Sequence, residues 1–324
     1  MTMPTTDAPI VTIVGGSGFV GRYIAQAMAR RGWRVRVACR RPNEAGFVRP
    51  YGVVGQVEPV QCNIRDDASI ARVVQGATAV VNCVGILFQS RKNTFDSIQA
   101  EGAARVARLA REAGAKRFVQ ISAIGADARS PAAYGRTKAA GEQAVLEAYP
   151  DAVILRPSIV FGSEDQFFNR FASMARISPA LPLVGGDTRF QPVWVQDVAE
   201  AAAKACAGEV APGIYELGGP NVYTFRGLME LMLRTIRRKR FLLPIPFFLA
   251  RIQGAVLQQL PNPLLTVDQV RLLARDNVVS DGALGFREIG IEPEAPEAII
   301  EGYLYAYRPY GQYATLTEGR DKAD

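Results

Sequence analysis

The sequence predicts an α/β protein built on a doubly wound parallel sheet, with a smaller lobe in its C-terminal half. Short runs rich in β-branched residues alternate with longer helical patterns, and this alternation is typical of right-handed strand–helix–strand units. A glycine-rich turn joins the first strand to the first helix. Strands are predicted at 10–14, 34–39, 59–62, 79–84, 118–122 and 153–155, and helices at 23–30, 99–113 and 137–148.

The chain after Arg156 and Pro157 follows a looser pattern, in which proline and glycine clusters interrupt short segments. This pattern indicates a smaller substrate-side lobe assembled from returning segments. We therefore expect a core over residues 8–157 and a second region over 158–308 that interleaves with it. A polar tail is expected over 309–324.

The composition is that of an ordinary packed protein, and it limits the possible chemistry. The 324 residues are 48% hydrophobic and 21% charged and include no histidine, which excludes histidine acid–base catalysis and most zinc sites. We expect no metal. The net charge of +7 favours anionic partners, whereas the scattered basic residues match no nucleic-acid-binding module. The cysteines form no C-x-x-C pair and are expected to be reduced core thiols: Cys39, Cys62, Cys83 and Cys206.

No targeting or membrane-spanning segment is expected. Residues 1–9 are polar and lack the charged and apolar regions of a signal peptide. The most apolar stretch, 241–260, is interrupted by Pro244, Pro246 and Arg251. The protein is expected to stay in the compartment where it is made.

The glycine-rich turn predicts a cradle for a pyrophosphate. A strand that enters a helix through Gly-x-x-Gly-x-x-Gly presents backbone amides and the helix N-terminus to phosphate. Gly15 allows the tight turn, Gly18 lets phosphate approach the backbone, and Gly21 lets the helix pack closely on the sheet. An ordinary glycine-rich turn is the alternative. The remaining residues expected to contact the cofactor here are Ser17, Phe19 and Val20.

The end of the second predicted strand favours NADP(H) over NAD(H). Chains specific for NAD usually carry an acidic residue there, which binds the ribose 2′-hydroxyl and would repel a 2′-phosphate. This chain has Arg40 and Arg41 instead, and guanidinium groups bind phosphate through charge-assisted hydrogen bonds. Both arginines are therefore predicted to bind the 2′-phosphate of NADPH.

Tyr134 and Lys138 form a Tyr-x-x-x-Lys pattern at a predicted helix start, which places both side chains on one face. A neighbouring ammonium is expected to lower the phenol pKa, so that Tyr134 can exchange a proton while Lys138 holds the nicotinamide ribose. Ser122 ends the preceding strand and is also expected near the cofactor.

Together these motifs resemble the short-chain dehydrogenases/reductases (SDRs) of the extended or atypical kind, whose fold is of the Rossmann type. The resemblance extends over nearly the whole chain. It includes N-I-R-D at 63–66, N-C-V-G at 82–85, L-R-P-S at 155–158 and P-V-W-V-Q-D-V-A at 192–199. It implies that Asn63 and Ile64 flank the adenine, that Val84 and Gly85 line the cofactor trough, and that Pro157 and Ser158 lie beside the nicotinamide.

The chain departs from that family at two positions. Asn63 stands where many relatives carry aspartate. Ala123 stands where active members usually have the hydroxyl that polarises the substrate, and a methyl group cannot donate a hydrogen bond. Ser122 could replace that hydroxyl only if the strand end were shifted by one residue, because neighbouring side chains face opposite ways. Cofactor binding is therefore expected, and independent catalysis is not.

Further runs resemble the NADPH-binding accessory subunits of respiratory complex I (alpha subcomplex subunit nine), in a bacterial form. They are V-G-I-L-F at 84–88, S-A-I-G-A at 122–126, R-P-S-I-V-F-G at 156–162, F-F-N-R-F at 167–171 and T-R-F-Q-P-V at 188–193. The resemblance implies a docked, non-catalytic subunit in which NADPH stabilises the fold. Its implied place is the cytoplasmic side of the bacterial inner membrane, near the quinone-binding region, with Tyr134 and Lys138 vestigial.

Residues 224–239 predict an amphipathic helix with a basic end, followed by the apolar stretch 241–249. Cations beside large apolar residues suit anionic lipid headgroups. The alternative is a helix whose last cations complement its dipole, followed by a buried strand. The basic residues in question are Arg237, Arg238, Lys239 and Arg240.

Two other functions stay open at this stage. One is a free NADP-dependent reductase or epimerase acting on a sugar nucleotide, a quinone or another small carbonyl compound, with Tyr134 as acid/base. The other is an NADPH-binding redox sensor. A C-terminal group of tyrosines indicates either a partner interface or a helix packed on its own core: Tyr303, Tyr305, Tyr307, Tyr310 and Tyr313.

Overall fold

The computed structural model describes residues 7–90, 93–261, 263–309 and 311. Its strands are β1 (Ile10–Val14), β2 (Arg34–Cys39), β3 (Val57–Gln61), β4 (Ala79–Asn82), β5 (Arg117–Ile121), β6 (Val153–Pro157), β7 (Val160–Phe161), β8 (Ala180–Val184), β9 (Arg189–Phe190), β10 (Val193–Trp194), β11 (Gly213–Leu217), β12 (Tyr223–Thr224) and β13 (Phe241–Ile245). Its α-helices are α1 (Phe19–Arg30), α2 (Asp67–Val74), α3 (Glu101–Glu112), α4 (Ala133–Ala148), α5 (Phe168–Ile177), α6 (Val195–Ala207), α7 (Phe225–Thr235), α8 (Phe247–Leu257), α9 (Val267–Leu272), α10 (Phe286–Ile289), α11 (Pro296–Ile299) and α12 (Glu301–Leu304). A 3-10 helix spans Pro42–Tyr51 and a π-helical turn spans Asp96–Ala100.

A seven-stranded sheet with the order β11-β6-β5-β4-β1-β2-β3 organises the fold. All its neighbouring strands pair in parallel, which confirms the predicted doubly wound sheet. The chain leaves β1 toward β2 and β3 on one side and returns to β4 on the other. Ligands of such sheets bind beyond the carboxyl ends of the strands at this reversal.

The chain forms two compact units. Unit 1 consists of the described residues up to Pro157 together with Val195–Leu217 and Val279–Glu292. Unit 2 consists of Ser158–Trp194, Gly218–Val278 and the described residues from Pro293 onward. Unit 1 thus contains the whole seven-stranded sheet, including β11, which joins it from a distant part of the sequence.

In unit 1 the central strand β1 is almost wholly buried, and Val11 and Ile13 have no exposed surface. Helices α2, α3 and α4 contribute Ile70, Val106 and Val145 to a core that covers the sheet. Helix α1 is amphipathic because its apolar residues recur every three or four positions. This packing fixes the start of α1 at the end of β1.

In unit 2 the core is rich in aromatic side chains. The buried Asp165 carboxylate accepts hydrogen bonds from the Gly162 and Phe167 amides and from the Tyr303 hydroxyl. The Tyr307 hydroxyl donates to Asn169. Two of the C-terminal tyrosines therefore pack on their own unit, as the second alternative predicts. Tyr310, Tyr313 and most of the predicted tail lie outside the described residues.

The helix predicted over 224–239 is shorter than expected, because α7 ends at Thr235. Arg237 adopts a left-handed φ of 53°, and the Arg238 amide closes on the Leu233 carbonyl at 3.0 Å. This is the hydrogen bond of a Schellman motif, in which glycine usually occupies the left-handed position. The basic residues therefore follow the helix and do not form its last turn.

The stretch after these cations is neither a buried strand nor a single element. Strand β13 pairs in parallel with β8, but Phe241 and Leu243 are 77% and 54% exposed. Helix α8 then follows. Within the described ranges, no helix combines the length and apolar character needed to cross a bilayer.

Candidate functional site

The turn between β1 and α1 is held by backbone geometry that requires glycine at its first position. Gly15 has φ +81°, and a Cβ atom there would lie 2.9 Å from Cγ2 of Val84 at the end of β4. The Gly15 amide donates to the Ala38 carbonyl of β2 at 2.8 Å. The turn is thus fixed between the two strands that flank β1.

The N-terminus of α1 has backbone amides available for an anion. Gly18 is the N-cap; no side chain caps the helix, and its first turn contains no acidic residue. The first amides of a helix, here those of Phe19 and Val20, have no acceptor within the helix. Together with the helix dipole they favour a negatively charged ligand.

The space in front of this helix fits a pyrophosphate. Apart from its neighbours in the chain, a Cβ atom on Gly18 would have only the Gly15 carbonyl oxygen, at 3.1 Å, within 4 Å among the described residues. A Cβ atom on Gly21 would lie 2.6 Å from that same oxygen and 2.7 Å from Cα of Gly16. Gly18 therefore leaves room for a ligand, and Gly21 is needed for packing.

The end of β2 lies against this turn. The Ser17 side chain is hydrogen-bonded to the Cys39 thiol, which places the exposed Arg40 and Arg41 next to the glycine turn. Arg41 pairs with Glu44 at 3.1 Å, and both side chains are largely exposed. Such a pair contributes little, so both guanidinium groups are available to a phosphate at this strand end.

Asn63 and Ile64 lie where β3 ends, one strand beyond the arginines. The side-chain oxygen Oδ1 of Asn63 accepts from the Arg65 amide at 3.2 Å and so stabilises the turn after β3. The side-chain amide of this exposed residue can still donate to an adenine. Ile64 is 7% exposed and contacts Gly102 and the core of unit 1. Ile64, which is predicted to flank the adenine, therefore also packs in the core of unit 1.

Val84, Gly85 and Lys138 come together at the ends of β4 and β5. The buried Asn82 accepts from the Val84 amide at 3.2 Å and donates to Gln120 at 2.9 Å, which holds the strand end in place. A Cβ atom on Gly85 would lie 3.5 Å from the Lys138 Nζ. Lys138 is buried and donates to the Ile121 carbonyl at 3.3 Å.

Tyr134 lies near Lys138, with its ring centroid 5.9 Å from the ammonium. Phe95 packs edge-on against the Tyr134 ring at a centroid distance of 6.0 Å. Burial raises the pKa of Tyr134 to about 12. The expectation that Lys138 lowers this pKa was wrong, because the ammonium faces the Ile121 carbonyl and desolvation of the phenolate dominates.

The pKa of Lys138 is lowered to about 8 by burial, which the nearby Glu142 carboxylate partly opposes. Since the folded-state pKa is below the ordinary lysine value, burying the charged form costs stability at pH values below about 8. This cost vanishes above the unfolded pKa of about 10.4. The charged form of Lys138 therefore destabilises the cofactor-free protein.

We predict that Lys138→Met stabilises the cofactor-free protein at pH 7 by at most about 2–3 kcal/mol. The gain should shrink as the pH rises from about 8 to 10.4, because the folded lysine is then already neutral and the unfolded lysine progressively loses its proton as well. Urea unfolding at a series of pH values measures it. The exposed Lys116→Met is the control and should change little. A variant that loses stability at pH 7 would contradict the electrostatic account.

Ser122 does not supply a substitute for the hydroxyl missing at position 123. Its hydroxyl donates to the buried Glu142 carboxylate of α4. Glu142 also accepts from Arg156 of β6, at 2.9 Å and 2.5 Å, and Arg156 reaches Glu216 of β11 at 3.3 Å. Ser122 therefore belongs to a buried charged network of unit 1, which the sequence analysis did not predict.

Pro157 and Ser158 mark the passage from unit 1 to unit 2. The Pro157 carbonyl ends β6 and accepts from the Ile124 amide at 3.0 Å. The Ser158 hydroxyl lies 2.9 Å and 2.7 Å from the main-chain and side-chain oxygens of Asn277 within unit 2. The contact of these two residues with nicotinamide stays a prediction.

All four cysteines are poor candidates for direct redox chemistry. Burial raises the pKa of Cys62 to about 11 and that of Cys206 to about 12. It also raises the pKa of Cys39 and Cys83. Because the thiolate is the reactive form, these environments suppress oxidation.

The parallel sheet, its reversal beside β1 and the glycine turn define a Rossmann-type dinucleotide-binding fold. The chain belongs to the NAD dependent epimerase/dehydratase family, whose model matches residues 11–218.

Two curated proteins illustrate its relatives. The chain is 35% identical over 316 residues to "NADH dehydrogenase [ubiquinone] 1 alpha subcomplex subunit 9, mitochondrial" of Arabidopsis thaliana, covering 93% of this chain and 79% of the plant protein. It is 31% identical over 246 residues to "Ceramide reductase" of Caulobacter vibrioides, covering 75% and 76%. A solved structure of an NADPH-dependent quinone oxidoreductase from Escherichia coli, complexed with NADPH, shares the fold with a TM-score of 0.71 at 18% identity, covering 91% of this chain and 99% of that one.

Proposed function

We propose that this chain is an accessory, non-catalytic NADPH-binding subunit of respiratory NADH:quinone oxidoreductase (complex I), in a bacterial form. It would lie on the cytoplasmic side of the inner membrane near the quinone region and support assembly and stability. The relationship to a protein named as a complex I subunit, over nearly the whole chain, supports this partner.

One observation carries the non-catalytic part of the proposal. The site keeps the groups that would hold a nucleotide, but Ala123 has no donor and the neighbouring Ser122 hydroxyl is bound to Glu142. A carbonyl substrate would therefore find no serine hydroxyl to stabilise its developing oxyanion. The raised pKa of Tyr134 points the same way.

The residues of unit 1 divide the binding of NADPH among them. The amides at the start of α1 would hold the pyrophosphate, Arg40 and Arg41 the 2′-phosphate, and Lys138 the nicotinamide ribose. Bound NADPH could supply a hydride to an acceptor. These residues would bind and orient it, but no hydroxyl at position 123 would polarise a substrate beside Tyr134.

The proposal is tested in native membranes extracted with mild detergent. We expect the chain to comigrate with NADH:quinone oxidoreductase activity, and its deletion to reduce the amount of assembled complex more than the turnover of each assembled copy. Finding the chain only as a free monomer, with complex I unaffected by the deletion, would refute this role.

Arg40→Asp is expected to lower NADPH affinity by roughly 10- to 100-fold, since a hydrogen bond to a charged group is worth about 1.5–3 kcal/mol and a carboxylate repels the 2′-phosphate. NADH affinity should fall much less. Fluorescence titration with both nucleotides measures the ratio. Arg34→Asp makes the same charge change at the other end of β2 and is the control. Equal losses of NADPH and NADH affinity in Arg40→Asp would argue against 2′-phosphate recognition.

A free NADP-dependent reductase or epimerase is the second candidate. Tyr134 and Lys138 remain close together, and one relative is named as a ceramide reductase. If this reading is correct, Tyr134→Phe will abolish turnover of a carbonyl substrate while NADPH affinity is kept. The absence of turnover over a broad carbonyl panel favours the accessory role.

A further inference from the structure

Helix α8 has its bulky side chains on the outside. The residues that it buries are Ala250 and Gly254. Phe248, Ile252 and Val256, spaced four residues apart and therefore on one face, are 63%, 61% and 67% exposed. A surface helix in water shows the opposite arrangement, with large apolar residues inward and polar residues outward.

Close packing fixes this orientation. A Cβ atom on Gly254 would lie 3.0 Å from the main chain of Thr266 and Val267. Ala250 has no exposed surface and packs with Val184 and Val270 in a small core of unit 2. Turning α8 about its axis would press a large side chain against the main chain at Thr266. The packing of Ala250 and Gly254 therefore determines that the large apolar side chains of α8 face outward.

The preceding strand repeats the pattern. Phe241 and Leu243 of β13 alternate along the strand, so they share one face, and both are more than half exposed. Pro246 then leads directly into α8. The exposed apolar residues thus occupy two consecutive elements. We call β13 and α8 together the apolar segment.

The sequence around the apolar segment carries cations but no carboxylates. Residues 231–267 contain no aspartate or glutamate. The guanidinium groups of Arg238 and Arg240 donate to carbonyls of Tyr307 and Ala175, so they are partly used within unit 2. The exposed cations of this stretch are Arg234, Arg237, Lys239 and Arg251. Of these, Arg234 and Arg237 line a cavity together with Glu297 and Glu301 of the same unit.

We propose that the apolar segment is a membrane-docking face for an anionic phospholipid surface, with Phe248, Ile252 and Val256 entering the acyl boundary and Lys239 and Arg251 at the headgroup phosphates. The inference rests on the proposed peripheral location and specifies the surface responsible for it. Large apolar side chains suit the acyl boundary of such a membrane, and neighbouring cations suit its anionic headgroups. A second copy of this chain fits poorly, because docking would bring two carboxylate-free basic stretches together.

Vesicle sedimentation with the purified full-length protein tests this inference. We expect binding to phosphatidylcholine vesicles that contain one third phosphatidylglycerol, weak binding to phosphatidylcholine alone, and loss of binding at high salt. The double variant Ile252→Gln/Val256→Gln should bind at least about tenfold more weakly, because it removes apolar surface that the membrane would bury. Val54→Gln, at a 95% exposed position of unit 1, is the control.

Three results would overturn the inference: no binding to the anionic vesicles, unchanged binding by the double variant, or a dimer in solution that the double variant dissociates. Bound NADPH per chain is measured in the same samples. A protein that holds NADPH but ignores vesicles contradicts only the docking face, and one that binds vesicles without nucleotide contradicts only the proposed cofactor role.

Discussion

Replacing Gly21 with alanine is expected to abolish NADPH binding and to destabilise unit 1 at the same time. The added Cβ would lie 2.6 Å from the Gly15 carbonyl oxygen and 2.7 Å from Gly16 Cα. Both are main-chain atoms of the turn, so α1 and the turn must move apart. Overpacking of this kind typically costs 1–3 kcal/mol, and occasionally more. Thermal unfolding and nucleotide titration of the same preparation measure both effects.

Substitutions at two further glycines separate the loss of NADPH binding from the loss of stability. Gly18→Ala should keep most of the stability, because its Cβ meets only the Gly15 oxygen at 3.1 Å, but it should still lose NADPH, because the methyl occupies the path of the phosphate. Gly46→Ala, which meets nothing within 4 Å, should change neither property. Normal NADPH affinity in Gly18→Ala would mean that the pyrophosphate does not lie against this turn.

Glu142→Gln is expected to destabilise the protein by roughly 3–5 kcal/mol, the usual cost of removing one partner from a buried ion pair. The Glu142 side chain is 5% exposed, and that of Arg156 is 21% exposed. The amide keeps one acceptor oxygen, but it leaves Arg156 with Glu216 as its only carboxylate in the network. Urea denaturation, with the slope checked against the wild type, measures the loss.

Glu147→Gln is the matched control for this substitution. It makes the same change on the same helix, at an exposed position whose carboxylate accepts only from Gln143 in the described structure. Its effect should stay within about 0.5 kcal/mol. Equal effects of the two substitutions would show that the buried network contributes no more than a surface charge.

Local patterns in the sequence were sufficient to predict the parallel sheet. Six of the seven strands of the sheet were predicted from β-branched runs, but β11 was not. The glycine spacing locates the β1–α1 turn because each glycine there meets a different steric demand. The predicted bounds of β1 and β2 agree with the structure, whereas other boundaries moved by one to four residues, as at α4, which begins at Ala133. These shifts depend on tertiary contacts that no local pattern contains.

The electrostatic details of the site could not be predicted in the same way. The Tyr-x-x-x-Lys spacing indicates that Tyr134 and Lys138 are neighbours, but not that the ammonium faces the Ile121 carbonyl. The bond from Ser122 to Glu142 joins residues twenty positions apart, and Glu216 is a further sixty positions beyond Arg156. Such pairings depend on strand order, which a single sequence leaves open.

The sequence also could not predict which side chains of unit 2 are exposed. The stretch after the basic residues is apolar enough to suggest a buried strand, yet Phe241 and Phe248 face outward. Hydropathy alone does not predict whether a helix buries its large apolar residues or its small ones. In α8 the inward positions are Ala250 and Gly254, and only the structure shows that Thr266 and Val267 require them.

We propose that this chain holds NADPH as a resident, unreacted group within a respiratory complex. The most direct test is to purify the native complex through a tag on this chain, denature it, and identify the released nucleotide by mass spectrometry. We predict close to one NADP(H) per copy of this chain, together with complex I subunits in the same preparation. A native preparation that contains no NADP(H) and does not bind NADPH when it is added would contradict the account.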